Sequence, residues 1–209
     1  RVVRNRRNCL SAGGLKGGIV HAAGEIIVLL DMDTSVRGDW VEKLIEPLLE
    51  NDDVAITGSK LLYPDGTLQH AGGKFEWNGF TRHLQANETD GSPVETKPRE
   101  VDYVCGASIA IRRTLLSQIG GLDEYMPFYY EEVDLCWQAH RLGCKVLYVP
   151  ESIAVHHESA SMGKNSDRYL FNYHRGRWRF MLKNYRLRVL LTEVVPAEIR
   201  WLRLADETH

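Results

Sequence analysis

The sequence predicts an α/β fold, a sheet of buried strands flanked by helices, and three observations support it. The segment Glu25 to Leu30 is, past its first residue, a continuous and largely branched apolar run bounded by Gly24 and Asp31, the pattern of a strand buried on both faces. A helix over about 39–50 follows directly, because Trp40, Leu44, Ile45, Leu48 and Leu49 recur at helical spacing. Strand, turn and helix in that order are the unit of an α/β sheet.

Later elements extend the pattern. Residues 53–73, "DVAITGSKLLYPDGTLQHAGG", alternate short apolar runs with turn residues such as Pro64, Asp65 and Gly66. Residues 79–100 are polar and read as a surface loop. "VDYVCGASIAIRR" is a long β-like stretch, followed by a short helix over 114–119 closed by Gly120 and Gly121. "EEVDLCWQAHRLG" predicts a helix over 131–142 with Val133, Cys136, Trp137 and His140 on one face and Gly143 as its stop. "CKVLYVP" is a further strand. Between Arg168 and Arg188 there are seven Lys/Arg and no acid, with Phe171, Trp178, Met181, Leu182 and Tyr185 at roughly helical spacing. A basic amphipathic helix of that kind either lies on an anionic membrane or packs its apolar face on the preceding domain. Gly176 in its middle weakens it by up to ~1 kcal/mol.

Composition sets the limits. With 209 residues, 44% hydrophobic and 26% charged, the chain suits one domain with a core plus an appendage. The net charge of −2 gives no argument for nucleic acid as a partner. Cys9, Cys105, Cys136 and Cys144 show neither a CxxC pairing nor a zinc-type His spacing, so reduced cysteines and an intracellular compartment are expected. No run approaches the length of a membrane span, and none resembles a signal peptide. The chain opens on Arg1 in what reads as the middle of a sequence, and a domain cut from a longer chain is expected.

Chemistry concentrates in three places. In an open sheet the ligand crevice lies beyond the carboxyl ends of the strands, so Asp31 and Asp33, at the end of a buried run, put charge where a ligand binds. Strand alternation would point both side chains the same way, and paired carboxylates suit a hard divalent cation holding a diphosphate; the bland alternative is a solvated acidic loop. Glu131, Glu132 and Asp134 open a helix, where negative charge is favoured. Glu131 and Asp134 are capping candidates, and Glu132 is freer for proton transfer. His156 and His157 follow an apolar "IAV"; imidazole is a common metal ligand, although a histidine pair in a loop is as readily only polar.

The order of these pieces resembles the family 2 glycosyltransferases, inverting nucleotide-sugar-dependent enzymes of the GT-A fold. The matching text is "AAGEIIVLLDMDTSVRGDWVEKLI", "LLYPDGTLQHAGG" and "GASIAIRRTLLSQIGGLDEYMPFYYEEVDLCWQAHRLGCKVLYVPESIAVHH", covering most of residues 10–161. The nearest flavour is that of bacterial rhamnosyl- and related transferases that build surface polysaccharide. The resemblance implies a Rossmann-like mixed sheet flanked by helices, incomplete on its N-terminal side. Residues 1–165 would be a catalytic domain lacking its first βα units, and 166–209 a basic, amphipathic helical extension.

The resemblance also implies roles. Asp31 and Asp33 match the family's DxD, holding Mg²⁺ or Mn²⁺ against the donor diphosphate, with His156 completing the coordination. Glu132, or else Glu131, stands where the family has the general base, as Glu-Glu in place of an "ED" pair. Gly106 and Ala107 lie beside the donor sugar, where small residues let it approach the backbone. Expected partners are a UDP- or dTDP-type sugar and a saccharide or lipid-linked saccharide acceptor. Membrane contact would run through 168–188, at the inner face of the plasma membrane of a cytoplasmic protein. Two rival readings are a partial transferase domain serving as a binding or assembly module, and a haloacid dehalogenase-type phosphatase. The latter's remaining motifs do not occur in the expected order.

Overall fold

The computed structural model describes residues 2–6, 9–84, 97–126, 128–157 and 166–206, with side chains through residue 203. Helix α1 (Leu10–His21) leads into β1 (Ile26–Leu30), a turn, β2 (Thr34–Val36) and α2 (Trp40–Glu50). Next come β3 (Val54–Leu62), β4 (Leu68–His70), the hairpin strands β5 (Gly73–Phe75) and β6 (Thr81–His83), and the short β7 (Arg99–Glu100). Strand β8 (Ser108–Arg112), α3 (Arg113–Ile119), α4 (Glu131–Arg141) and the long β9 (Lys145–His156) complete the part that carries the sheet. Helix α5 (Asp167–Asn184) is followed by α6 (Leu187–Val189), a π-helical turn over Leu190–Val194, and α7 (Val195–Asp206).

The main sheet runs in the order β1-β8-β3-β9-β2, with β4 added to β3 and β7 to β9. Strands β1 and β3 are both antiparallel to β8, and β3 is parallel to β9. Three strands therefore point their carboxyl ends the same way, and β8 runs against them. This is the mixed sheet that was expected. Side chains of β8 alternate between its faces. Ala110 meets Leu44 and Leu48 of α2, while Ile109 and Ile111 join Val133, Leu135, Cys136 and Ala139 of α4 in the main core.

Two polar devices tie the layers together. The Trp40 indole donates to the hydroxyls of Ser108 (2.8 Å) and Ser59 (3.1 Å), Ser59 and Ser152 hydroxyls lie 2.8 Å apart, and Ser152 donates back to the Trp40 carbonyl at 3.0 Å. This buried cluster pins the start of α2 to β3, β8 and β9. Arg112 donates to the carbonyls of Val54 (2.7 Å), Asn51 (3.1 Å) and Leu48, satisfying groups at the C-terminal end of α2.

The predicted strand at 25–30 and helices at 39–50, 114–119 and 131–142 appear within a residue or so. Helix α1 was not anticipated. Its Gly13, Gly14, Gly17 and Gly18 hide the period, although Ala12 is buried and Leu15 and Ile19 pack on the core. Within the polar stretch 79–100, β6 pairs with β5 and β7 pairs with β9, whereas 85–96 lie outside the described residues. Cys9, Cys105, Cys136 and Cys144 form no disulfide among the described residues.

The C-terminal helix is corrected in its inward face. Of the expected stripe, Met181 is buried and Trp178 and Tyr185 pack against the core, while Phe171 and Leu182 are exposed and Gly176, Arg177 and Phe180 join the buried face. The cause is close approach. A Cβ on Gly176 would stand 2.8 Å from the Tyr129 carbonyl oxygen, so only glycine lets the helix reach the segment before α4. Arg177 lies over the Phe80 ring at 4.0 Å and pairs with Glu198 of α7. Phe180, Met181, Leu190 and Val194 belong to the main hydrophobic cluster, so the extension shares its core with the preceding residues.

Candidate active site

Strand β1 ends at Leu30, and the Asp31 N–H extends its pairing with β8 by one step, donating to the Ala107 carbonyl (3.0 Å). The Thr34 N–H then closes a turn on the Asp31 carbonyl at 3.1 Å, and β2 begins. On the far side of that turn the Asp33 carbonyl accepts from the His157 N–H at 3.0 Å, while Thr34 faces His156 across the β2–β9 ladder. Asp31 and Asp33 are thus brought together by a turn and not by strand alternation; Met32 between them is fully exposed.

His156 comes from the end of β9, not from a loop. Its Nε2 is 3.5 Å from the nearer Asp33 oxygen, and one ligand atom from each of Asp31, Asp33 and His156 lies within 4.8 Å of the others. Burial, opposed by His156 and reinforced by Asp33, raises the Asp31 carboxyl above its usual range. Two carboxylates and one imidazole, crowded without neutralisation, form a donor set that suits Mn²⁺ or Mg²⁺ and leaves room for outside oxygens. The residues fit a divalent cation.

The two glutamates reach the site differently. Tyr129 (φ 64°) and Tyr130 (φ 71°) are successive non-glycine residues in the left-handed region, and this elbow launches α4. The Tyr130 hydroxyl anchors the elbow by donating to the Gly79 carbonyl at 2.9 Å. Tyr130, at the N-cap position, makes no side-chain capping bond. Glu131 accepts from the Ser11 hydroxyl of α1 at 2.8 Å, and its other oxygen is buried without a partner. Asp134, the second capping candidate, is buried and pairs with Lys183 at 2.6 Å and Asn184 at 2.8 Å.

Glu132 packs along Gly106, where a Cβ would be 3.5 Å from the Glu132 Cβ. Burial first, then the Glu131 and Asp31 charges, push its carboxyl up to about 8. Burial likewise raises Glu131, with the Asp31 charge adding and Ser11 opposing. A carboxyl raised in this way beside an acidic pair has the protonation behaviour that proton transfer near neutrality requires. Ala107 is buried, and its carbonyl holds the Asp31 turn.

Sequence reasoning missed Gln69 of β4, whose Oε1 lies 2.8 Å from His156 Nδ1, and Ser11. The one available signal was "TLQHAGG", a Gln-His pair inside an otherwise apolar run.

Fold and site together define a GT-A glycosyltransferase domain. The chain belongs to glycosyl transferase family 2, whose sequence profile matches residues 1–120. It is 31% identical over 169 residues to "Uncharacterized protein y4gI" of Sinorhizobium fredii, covering 78% of this chain and 18% of that protein. It is 30% identical over 148 residues to O-antigen biosynthesis protein RfbC of Myxococcus xanthus, covering 68% and 12%. An N-acetylglucosaminyl-diphospho-decaprenol L-rhamnosyltransferase of Mycobacterium tuberculosis is 31% identical over 88 residues, 42% of this chain and 29% of that protein. The chain therefore spans under a third of each of these relatives. Among solved structures, GalNAc-T7 with UDP, GalNAc and Mn²⁺ superposes with a TM-score of 0.64 at 22% identity, covering 84% of this chain and 35% of that one. The mixed sheet and the family membership remove the phosphatase reading.

Proposed function

We propose that this domain performs inverting transfer of a sugar from a UDP- or dTDP-type donor to a hydroxyl of a saccharide or lipid-linked saccharide. The carrying observation is the convergence of Asp31, Asp33 and His156 at one rim of the sheet, with Glu132 placed behind Gly106 and within the field of Asp31. Glu132 is the general base. It takes the proton of the acceptor hydroxyl as the acceptor oxygen bonds to the anomeric carbon and the bond from that carbon to the diphosphate oxygen breaks. Glu131, held by Ser11, supplies a second negative charge that keeps Glu132 basic. Asp31, Asp33 and His156 would hold Mg²⁺ or Mn²⁺, which supplies charge neutralisation to the departing diphosphate. Gly106, partly buried against Glu132, would stand beside the donor sugar, whereas Ala107 is buried and contributes through its carbonyl to the Asp31 turn.

Names of relatives that include O-antigen biosynthesis and rhamnosyl transfer support surface polysaccharide as the setting. Among the described residues β1 is hydrogen-bonded along one edge only, which supports the reading that further βα units complete the nucleobase pocket ahead of a catalytic part ending near 165. No helix among the described residues is long and apolar enough to cross a membrane. Peripheral contact at the inner face of the plasma membrane is supported by the exposed Leu182, Leu187 and Leu191 near the exposed Arg186 and Arg188. Donor hydrolysis and transfer by the full-length protein, with UDP- and dTDP-sugars and Mn²⁺, is the test. No turnover of any donor, with Mn²⁺ bound, overturns the reading.

A further inference from the structure

Gln69 is built into the core in an unusual way. Between β3 and β4, Leu61 faces His70 and Leu62 faces Leu68, so Gln69 is the extra, unpaired residue of a β-bulge. Bulges re-aim side chains. This one directs the Gln69 amide to His156 of β9, where Oε1 lies 2.8 Å from Nδ1. The residue is only 4% exposed, and its Nε2 has no hydrogen-bond partner among the described residues. A buried amide with one end unsatisfied is disfavoured unless its other end performs a task.

The neighbouring residue fixes the strand independently of the site. His70 accepts from the Cys105 N–H through Nε2 (3.1 Å) and faces His83 through Nδ1 (3.2 Å). The bulge, and not strict alternation, turns the Gln69 amide toward His156, the histidine beside the two aspartates.

From this geometry we infer that Gln69 is a positioning residue that sets the tautomer of His156: its Oε1 accepts the Nδ1 proton and leaves the Nε2 lone pair facing Asp31 and Asp33. The inference rests on the proposed cation site. A reversed amide would donate to Nδ1 and force the imidazole proton onto Nε2, aimed at the position a cation would occupy. Outer partners of this kind hold ligating imidazoles in register.

The test uses two readouts. Nitrogen-15 spectra of histidine-labelled protein saturated with diamagnetic Mg²⁺ report the protonated nitrogen directly: the unsubstituted chain is expected to carry the His156 proton on Nδ1, hydrogen-bonded to Gln69, and Gln69→Met to lose that fixed Nδ1 proton. Mn²⁺ titration followed by electron paramagnetic resonance is expected to show affinity weakened by about 10–100-fold in Gln69→Met, and rescue to within a few-fold by Gln69→Glu, which retains an acceptor. An Nε2 proton in the unsubstituted chain, or Gln69→Met binding Mn²⁺ as tightly as wild type, overturns the inference while the proposed function stands. No Mn²⁺ binding by the unsubstituted chain overturns both.

Discussion

Gly176 of α5 and Tyr129 are in backbone contact: a methyl group placed on the glycine would stand 2.8 Å from the Tyr129 carbonyl oxygen and 3.1 Å from the Tyr130 ring. The elbow that presents Glu131 and Glu132 is therefore held from behind by a helix remote in sequence. Gly176→Ala tests this. Helix propensity alone predicts a gain of up to ~1 kcal/mol, but overpacking against backbone predicts a net loss of about 1–3 kcal/mol. A lower melting temperature together with reduced turnover is expected, and a raised melting temperature contradicts the contact.

Glu132→Gln removes the proposed base with little change in volume. Turnover is expected to fall by about 10²- to 10⁴-fold with Mn²⁺ and nucleotide binding retained. Glu131→Gln is expected to lose less, because its carboxylate is already engaged by Ser11. The comparison, by donor-release assay and calorimetry with UDP and dTDP, separates the two glutamates.

The same group sets a pH dependence. A base acts deprotonated, so kcat/KM is expected to rise through neutrality and level off above about 8, where the Glu132 carboxyl titrates. Stability moves the opposite way. A carboxyl whose folded value is raised is protonated in the native state while the unfolded state has lost its proton, so stability is full below about 4.5 and declines as pH rises toward 8. Glu132→Gln is expected to be the more stable protein at pH 8, by about 1–3 kcal/mol, in chemical denaturation.

Asp33→Asn leaves the fold and removes one charged ligand. Mn²⁺ affinity is expected to fall by at least about tenfold, and transfer activity to fall with it, in titrations over a range of Mn²⁺ concentrations. Chelation of the wild-type protein is expected to abolish transfer reversibly.

Glu198→Gln uncouples α7 from the body. It would leave the fully buried Arg177 without its carboxylate, and removal of one partner of a buried ion pair costs about 3–5 kcal/mol. A loss of that size by urea denaturation is expected; a loss below about 1 kcal/mol would show that the Phe80 ring alone accommodates the guanidinium.

The strongly periodic elements were legible in the sequence. Strand β1, α2 and α4 announce themselves because one apolar face or run dominates each. Helix α1 was not legible, since four glycines dilute its pattern and its burial depends on a surface made by other elements. Asp31 and Asp33, legible as an acidic pair, do stand together beside His156, although the geometry expected for them was strand alternation and the structure uses a turn. Gln69 escaped because its partner lies 87 residues away, and a bulge, invisible to periodicity, aims it. Arg177, one of the seven basic residues of 168–188, is enclosed by the Phe80 ring and Glu198, partners that helical spacing cannot show.

The turn that carries the paired acids is tethered on both flanks, by Ala107 next to β8 and by His157 beyond β9, and β3 separates those two strands. An ion seated there would act as a staple across non-adjacent strands, so its occupancy and the splay of the sheet become one variable. Saturating Mn²⁺, at about a hundred times its dissociation constant, would then add roughly 2.7 kcal/mol to the resistance of the whole domain against heat.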